Sequence, residues 1–198
     1  MSHKAVEFFF DVGSPTAYLA WTQLPAIAKE AGANIVWRPM LLGGVFKATG
    51  NQSPVTVPAK GQWMGSDLPR WAQRYLVPFQ SNPFFPINTL ALMRGATGVQ
   101  MRQPERLNDY LRAVFKAMWA KPVNMGDPDI MATTLAGAGF DAATVSALIN
   151  DPEVKAQLVA TTDEAVRRGV FGAPSFFVGD EMFFGQDRLD FVRDALNS

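Results

Sequence analysis

Two textures of hydrophobic and polar positions alternate along the chain. Near its start, Val6-Glu7-Phe8-Phe9-Phe10 is an apolar, aromatic run with a single charge, the pattern of a short strand buried on both faces. The run ends at Asp11-Val12-Gly13, and from Ala17 onward Tyr18, Trp21, Leu24, Ile27 and Ala28 recur at helical spacing up to Gly32. Ser14-Pro15 predicts the start of that helix. The serine hydroxyl accepts an orphan backbone N–H, and proline at the first helical position lacks only a donor that has no partner there. A second strand is predicted over Ile35-Val36-Trp37-Arg38, so the chain opens β-α-β.

From about Leu41 to Asn150 the alternation of a strand is missing. A loop is expected from Gly43 to Gly61, long enough to be a binding loop. Helices are predicted over Asp67–Tyr75, Asn88–Ala96 and Pro104–Trp119, then near 128–138, 141–149 and 152–168, where Asp127-Pro128 and Asp151-Pro152 repeat the cap-then-proline start. A stiff aromatic stretch, Asn82-Pro83-Phe84-Phe85-Pro86, lies among them. Strands return at Ser175–Val178 and Glu181–Phe184, joined by a Gly179-Asp180 turn, and a final helix runs from about Asp187 to Leu196. The ends together spell a thioredoxin-like α/β fold. Residues 1–40 and 152–198 form its expected thioredoxin-like domain, and 41–151 an all-helical insertion packed on the same body.

Composition narrows the chemistry. With 198 residues and 48% hydrophobic content the chain can bury one substantial core. Its 18 basic and 18 acidic residues balance, which removes the electrostatic case for nucleic acid or an anionic membrane. No apolar stretch approaches the roughly 20 residues of a membrane span, and no signal peptide precedes the first strand, so a cytoplasmic protein is expected. There is no cysteine and one histidine, His3, read as a solvated terminal residue. Disulfides, thiol catalysis by the protein itself and a histidine-based metal site are therefore excluded. The expected ligand is small and partly apolar.

In a thioredoxin-like fold the turn after the first strand carries the redox dithiol, and a cis proline before the third strand faces it. The corresponding stretches are Ser14-Pro15-Thr16-Ala17 and Gly172-Ala173-Pro174-Ser175, with no thiol in either. Five motifs follow in order: Phe10-Asp11-x-x-Ser14-Pro15-x-x-Tyr18-Leu19; Gly50-Asn51 with Lys60-Gly61; Phe85-Pro86-x-Asn88-Thr89 with Met93-Arg94; Val170-Phe171-Gly172-x-Pro174; and Gly185-x-Asp187-Arg188. Through these the whole chain resembles the glutathione-dependent 2-hydroxychromene-2-carboxylate isomerases, relatives of the kappa-class glutathione transferases in the DsbA-like branch of the thioredoxin superfamily. It departs from that family's usual residues at Gly13, Ala173, Ser175 and Gln186.

The resemblance implies glutathione as cofactor and a small aromatic 2-oxo acid or its hemiketal as substrate. It also implies a homodimer and a place in aromatic hydrocarbon catabolism. Ser14 would stabilise the glutathione thiolate, and Ala173 with Pro174 would pair with the cysteinyl unit. Gln186 and Asp187 would hold the γ-glutamyl end, Phe184 and Gly185 would also contact glutathione, and Asn51 and Lys60 would reach in from the insertion. Tyr18, Phe85 and Asn88, with Asn51 and Lys60, would line the substrate side; Trp71, Phe84 and Trp119 are further aromatic candidates, and Arg38 and Arg94 are expected in ion pairs. Lowering a thiol pKa from about 8.5 to about 6.5 takes roughly 2.7 kcal/mol. A charge-assisted hydrogen bond of about 1.5–3 kcal/mol and a helix N-terminus together reach that figure.

Blander roles compete for the same residues. Ser14 and Asp187 can be plain helix caps, Lys60 a solvated lysine, and the aromatics ordinary core. A kappa-like transferase or peroxidase would consume glutathione rather than return it. A silent thioredoxin-like binding module would not bind it at all.

Overall fold

A computed structural model describes residues 4–198, so His3 lies outside the described residues. Strands β1 (Ala5–Phe10) and β2 (Asn34–Pro39) pair in parallel across helix α1 (Pro15–Glu30). Strands β3 (Ser175–Val178) and β4 (Glu181–Phe184) form the expected hairpin, and β3 lies antiparallel to β1. The sheet order is β2-β1-β3-β4. The period-2 pattern of β1 divides its side chains between two cores. Val6, Phe8 and Phe10 face α1 and the insertion, with Phe8 stacked on Phe176 at 5.2 Å. Phe9 faces the other way, with Phe177, Met40 and Val170.

Between β2 and β3 lie α2 (Leu42–Thr49), α3 (Pro58–Tyr75), α4 (Leu90–Arg102), α5 (Leu107–Phe115), α6 (Pro128–Ala136), α7 (Ala142–Asn150) and α8 (Pro152–Arg167); α9 (Leu189–Asn197) closes the chain. Leu92, Tyr110, Leu111 and Phe115 of this helical stretch belong to the same buried cluster as Phe8 and Phe10. These helices share the sheet's core, and α5 runs on into a π-helical turn, Lys116–Ala120.

Two helices replace most of the expected loop. Helix α2 has no local cap: its first backbone donors go to distant side chains, Leu41 N–H to Thr162 Oγ1 at 2.9 Å and Leu42 N–H to Asp11 Oδ2 at 2.9 Å. Partners supplied by tertiary contact leave no mark in the local sequence. Helix α3 begins at Pro58, nine residues before the predicted start, with Pro58 at its first position. Gly61 and Gly65 disguise it as loop.

On the outer face of the sheet, Arg38 and Arg168 bridge Glu7 and Glu164 in a closed four-residue ion-pair network. The Arg168 guanidinium lies 3.7 Å from the centre of the Phe177 ring. Arg38 thus has the ion pairs expected of it, whereas Arg94 makes none among the described residues. Among those residues no helix is long and apolar enough to cross a membrane.

Candidate active site at the start of helix α1

The turn between β1 and α1 is fixed from below by a buried carboxylate. Asp11 is 1% exposed; its Oδ1 accepts from Gly13 N–H at 2.8 Å, and its Oδ2 from Leu42 N–H at 2.9 Å and Thr89 Oγ1–H at 3.1 Å. Burial raises its pKa, against the lowering effect of these three donors. Val12 is held at both ends by the insertion: its N–H donates to Met93 Sδ at 3.4 Å, and its carbonyl accepts from Trp119 Nε1–H at 2.8 Å.

On this base stands Ser14, 5% exposed, the N-cap of α1. Its Oγ accepts from Ala17 N–H at 3.1 Å, lies 2.8 Å from Thr16 Oγ1, and donates to the Ala173 carbonyl at 3.1 Å. Thr16 Oγ1 is also 3.1 Å from that carbonyl. The helix start therefore offers two hydroxyls, the positive end of a helix dipole and no charged side chain.

Facing it is the Ala173–Pro174 peptide, which is cis, as expected for this fold. Ala173 N–H has no acceptor among the described residues. The Pro174 carbonyl accepts from Gly185 N–H at 3.0 Å, which draws the end of the hairpin to the cis proline. Two glycines permit this crowding. A Cβ on Gly172 would meet the Phe184 ring at 2.7 Å; one on Gly185, whose φ is +97°, would meet Asp187 Oδ1 at 2.5 Å. Phe184 packs tilted against Phe171, ring centres 4.5 Å apart, and stays 41% exposed. Asp187 lies in a 3-10 turn, Gln186–Arg188, with its carboxylate 2.5 Å from Arg188 Nη1, and makes no capping bond to α9. Gln186 is buried; its carbonyl accepts from Tyr75 Oη–H of α3 at 2.8 Å. Burial and the neighbouring Asp187 push the Tyr75 phenol up to about 12.

The remaining expected site residues divide. Asn51 bridges the two segments: its Nδ2 donates to the Phe171 carbonyl at 2.8 Å, just before the cis proline. Lys60 is exposed in the first turn of α3, not in a loop, and makes no ion pair among the described residues. Tyr18 is a correction. It is 3% exposed, packs on Trp21 and Phe115, and donates its hydroxyl to the Pro78 carbonyl at 2.5 Å, so it is core rather than pocket wall. Trp119 is core for the same reason. The Ala173 carbonyl already serves two hydroxyls, while its N–H has no acceptor among the described residues. Asn88 is exposed and accepts from Leu90 N–H at 3.0 Å, a side-chain turn just ahead of α4, and Phe85 is half-buried against Trp119.

The model for the DSBA-like thioredoxin domain matches residues 5–197, nearly the whole chain. The chain belongs to the DsbA-like thioredoxin family. Within that family it is 31% identical over 195 residues to a 2-hydroxychromene-2-carboxylate isomerase of Sphingobium xenophagum, covering 98% of both chains. It is 29% identical to glutathione S-transferase kappa 1 of Homo sapiens, covering 98% of this chain and 91% of that one. A solved 2-hydroxychromene-2-carboxylate isomerase superposes with a TM-score of 0.86 at 28% identity, covering 97% of this chain and 94% of that one. The relatives are thus isomerases and glutathione transferases of the DsbA-like type.

Sequence reasoning missed the contacts that four residues make around this turn and the cis proline: Thr16, Tyr75, and the Met93 and Trp119 clamps on Val12. Thr16 had a signal, a second hydroxyl one residue past the cap proline. Tyr75 and Trp119 act from far along the chain with no motif of their own, and Met93, though part of a motif, gave no sign of its bond to Val12. Two grooves lie elsewhere, one of 570 Å³ between α5 and α6 and one of 530 Å³ at the β1–β3 end beside Leu196, and neither includes Ser14.

Proposed function

We propose that this protein binds glutathione at the start of α1 and isomerises 2-hydroxychromene-2-carboxylate, or a related aromatic 2-oxo acid, without consuming it. The observation that carries this reading is the Ser14 hydroxyl, neutral and buried at a helix N-terminus opposite the cis Ala173–Pro174 peptide. The donor set suits a thiol-bearing, zwitterionic peptide. Ala173 N–H is unpaired among the described residues, Asp187 supplies a carboxylate for an ammonium, and no cysteine competes.

Each residue then has a physical task. Ser14 Oγ–H turns from the Ala173 carbonyl to an incoming sulfur while still accepting from Ala17 N–H, and the α1 dipole favours negative charge at that point. Ala173 N–H donates to the peptide edge of the ligand, as an exposed strand would. Asp187 answers the ammonium, and Arg188 beside it limits the negative charge left over. Asn51 ties the insertion to Phe171, and Lys60 on α3 reaches a carboxylate of cofactor or substrate. When bound, glutathione would supply a thiolate able to add to a conjugated 2-oxo acid and leave again, letting the former double bond rotate. Asn51 and Lys60 are the proposed donors to the keto oxygen.

The test is an ultraviolet titration of bound glutathione against pH for the wild type and Ser14→Ala. A thiol that ionises well below its free pKa in the wild type alone supports the reading, and equal curves sink it. Ser14→Ala should cost about 1 kcal/mol of stability as a lost cap. Turnover should fall about 10- to 100-fold, the worth of one charge-assisted hydrogen bond. The relation to kappa-class transferases favours one rival reading, a transferase. Counting glutathione before and after turnover separates the two, because only a transferase consumes it.

A further inference from the structure

Ser14 Oγ, Thr16 Oγ1 and the Ala173 carbonyl oxygen form a triangle with sides of 2.8, 3.1 and 3.1 Å. Two hydroxyl protons serve these three contacts. If both point at the carbonyl, the 2.8 Å side holds two oxygens together with no proton between them. The favourable arrangements place one proton on that side and one on the carbonyl. Ser14 is therefore not independent of Thr16. When Ser14 turns its proton elsewhere, the Ala173 carbonyl, whose residue is 9% exposed, loses a donor in a place where solvent can hardly replace it.

We propose that Thr16 is a positioning residue that frees the Ser14 proton: it takes over the Ala173 carbonyl, or donates to Ser14 Oγ, whenever Ser14 donates to a bound sulfur. Both arrangements are within reach of its present position. In the first, Thr16 keeps the carbonyl paired, so reorienting Ser14 leaves no buried acceptor empty. In the second, Ser14 Oγ accepts from both Ala17 N–H and Thr16 Oγ1–H, which polarises its own O–H toward the sulfur. No bond to carbon or sulfur forms or breaks; only hydroxyl protons change acceptor. This inference rests on the glutathione reading above.

Three variants test it with the same ultraviolet titration, alongside calorimetric binding of S-methylglutathione, which has no ionisable thiol. Thr16→Val keeps the shape and loses the hydroxyl, Thr16→Ser keeps the hydroxyl, and Ser14→Ala marks the limit of full loss. The bound-thiol pKa should rise by about one unit in Thr16→Val, a tenfold weaker preference for the thiolate. It should stay at the wild-type value in Thr16→Ser, and S-methylglutathione should bind all the Thr16 variants within about twofold of the wild type. A wild-type pKa in Thr16→Val overturns the positioning role and leaves the glutathione reading intact. Loss of S-methylglutathione binding in Thr16→Val, in step with the thiol, overturns it in favour of a direct contact. If the wild type neither binds nor lowers the thiol pKa, both readings fall together.

Discussion

Helices α1 and α8 begin with the same local device, a polar cap followed by proline, and put it to opposite use. At α8, Asp151 accepts from Glu153 N–H at 2.8 Å and faces Arg102 at 3.0 Å, all at the surface. Arg102 first, and the backbone N–H second, hold its carboxyl below the usual carboxylate range. At α1, Ser14 caps with a neutral oxygen inside the molecule, beside a second hydroxyl and a carbonyl. The positive end of α8 is already answered by charge. That of α1 meets no acidic side chain in its first turn, and this is why only one of two near-identical sequence signals marks a candidate site.

The largest effect should come from making α1 resemble α8. Ser14→Asp places a carboxylate where the proposed thiolate would sit; bound thiol should stay protonated, and turnover should fall at least tenfold below that of Ser14→Ala in a parallel assay. Next is Asp11→Ala, which leaves Gly13 N–H, Leu42 N–H and the Thr89 hydroxyl without their acceptor. A loss of about 3 kcal/mol is expected in urea unfolding. Asp11→Asn should be milder and should change the pH dependence. The folded-state pKa of Asp11 is raised above its ordinary value, so the folded protein holds the proton to higher pH than the unfolded chain does. Its contribution is complete in acid and is lost as pH rises through the folded pKa. Asp11→Asn should flatten that slope when unfolding is followed from acid to neutral pH.

Gly185→Ala should act on the ligand more than on the fold. The new methyl meets Asp187 at 2.5 Å and the backbone is held at φ +97°, so Asp187 has to move. Binding of S-methylglutathione should weaken several-fold in calorimetry while the molecule still melts cooperatively. The smallest effect belongs to Asp151→Ala, with a modest drop in melting temperature near neutral pH and unaltered ligand binding. Because the Asp151 pKa is depressed on folding, its contribution exists above the ordinary carboxylate range and fades as pH falls. The two melting curves should converge in acid.

Legibility followed the range of the interaction. Ser14-Pro15 and both Asp-Pro starts carry their partners within three residues, and the elements they announce are in place. The alternating face of β1 and the β3–β4 hairpin were equally local. Helix α2 was not, because its caps come from Asp11 and Thr162, and α3 was obscured by glycines that its packing tolerates. Around the candidate site the same divide holds. The cap, the cis proline and the Gly185–Asp187 turn could be placed from motifs, whereas Tyr18 could not be assigned to core or pocket until its hydroxyl was seen on Pro78. An aromatic at helical spacing reads the same in either place.

The two bonds to Val12 set a limit on modularity. Met93 and Trp119 grip the peptide groups on either side of this residue, two positions ahead of Ser14. The candidate turn is thereby shaped partly by the helices between β2 and β3 and not by the sheet alone. A minimal version made by excising those helices would lose the mould that shapes the turn, even if the four strands still paired. Grafting Ser14 and its neighbours onto a small thioredoxin scaffold would meet the same obstacle, so for a protein engineer the portable unit is the turn together with α4 and the Trp119 segment.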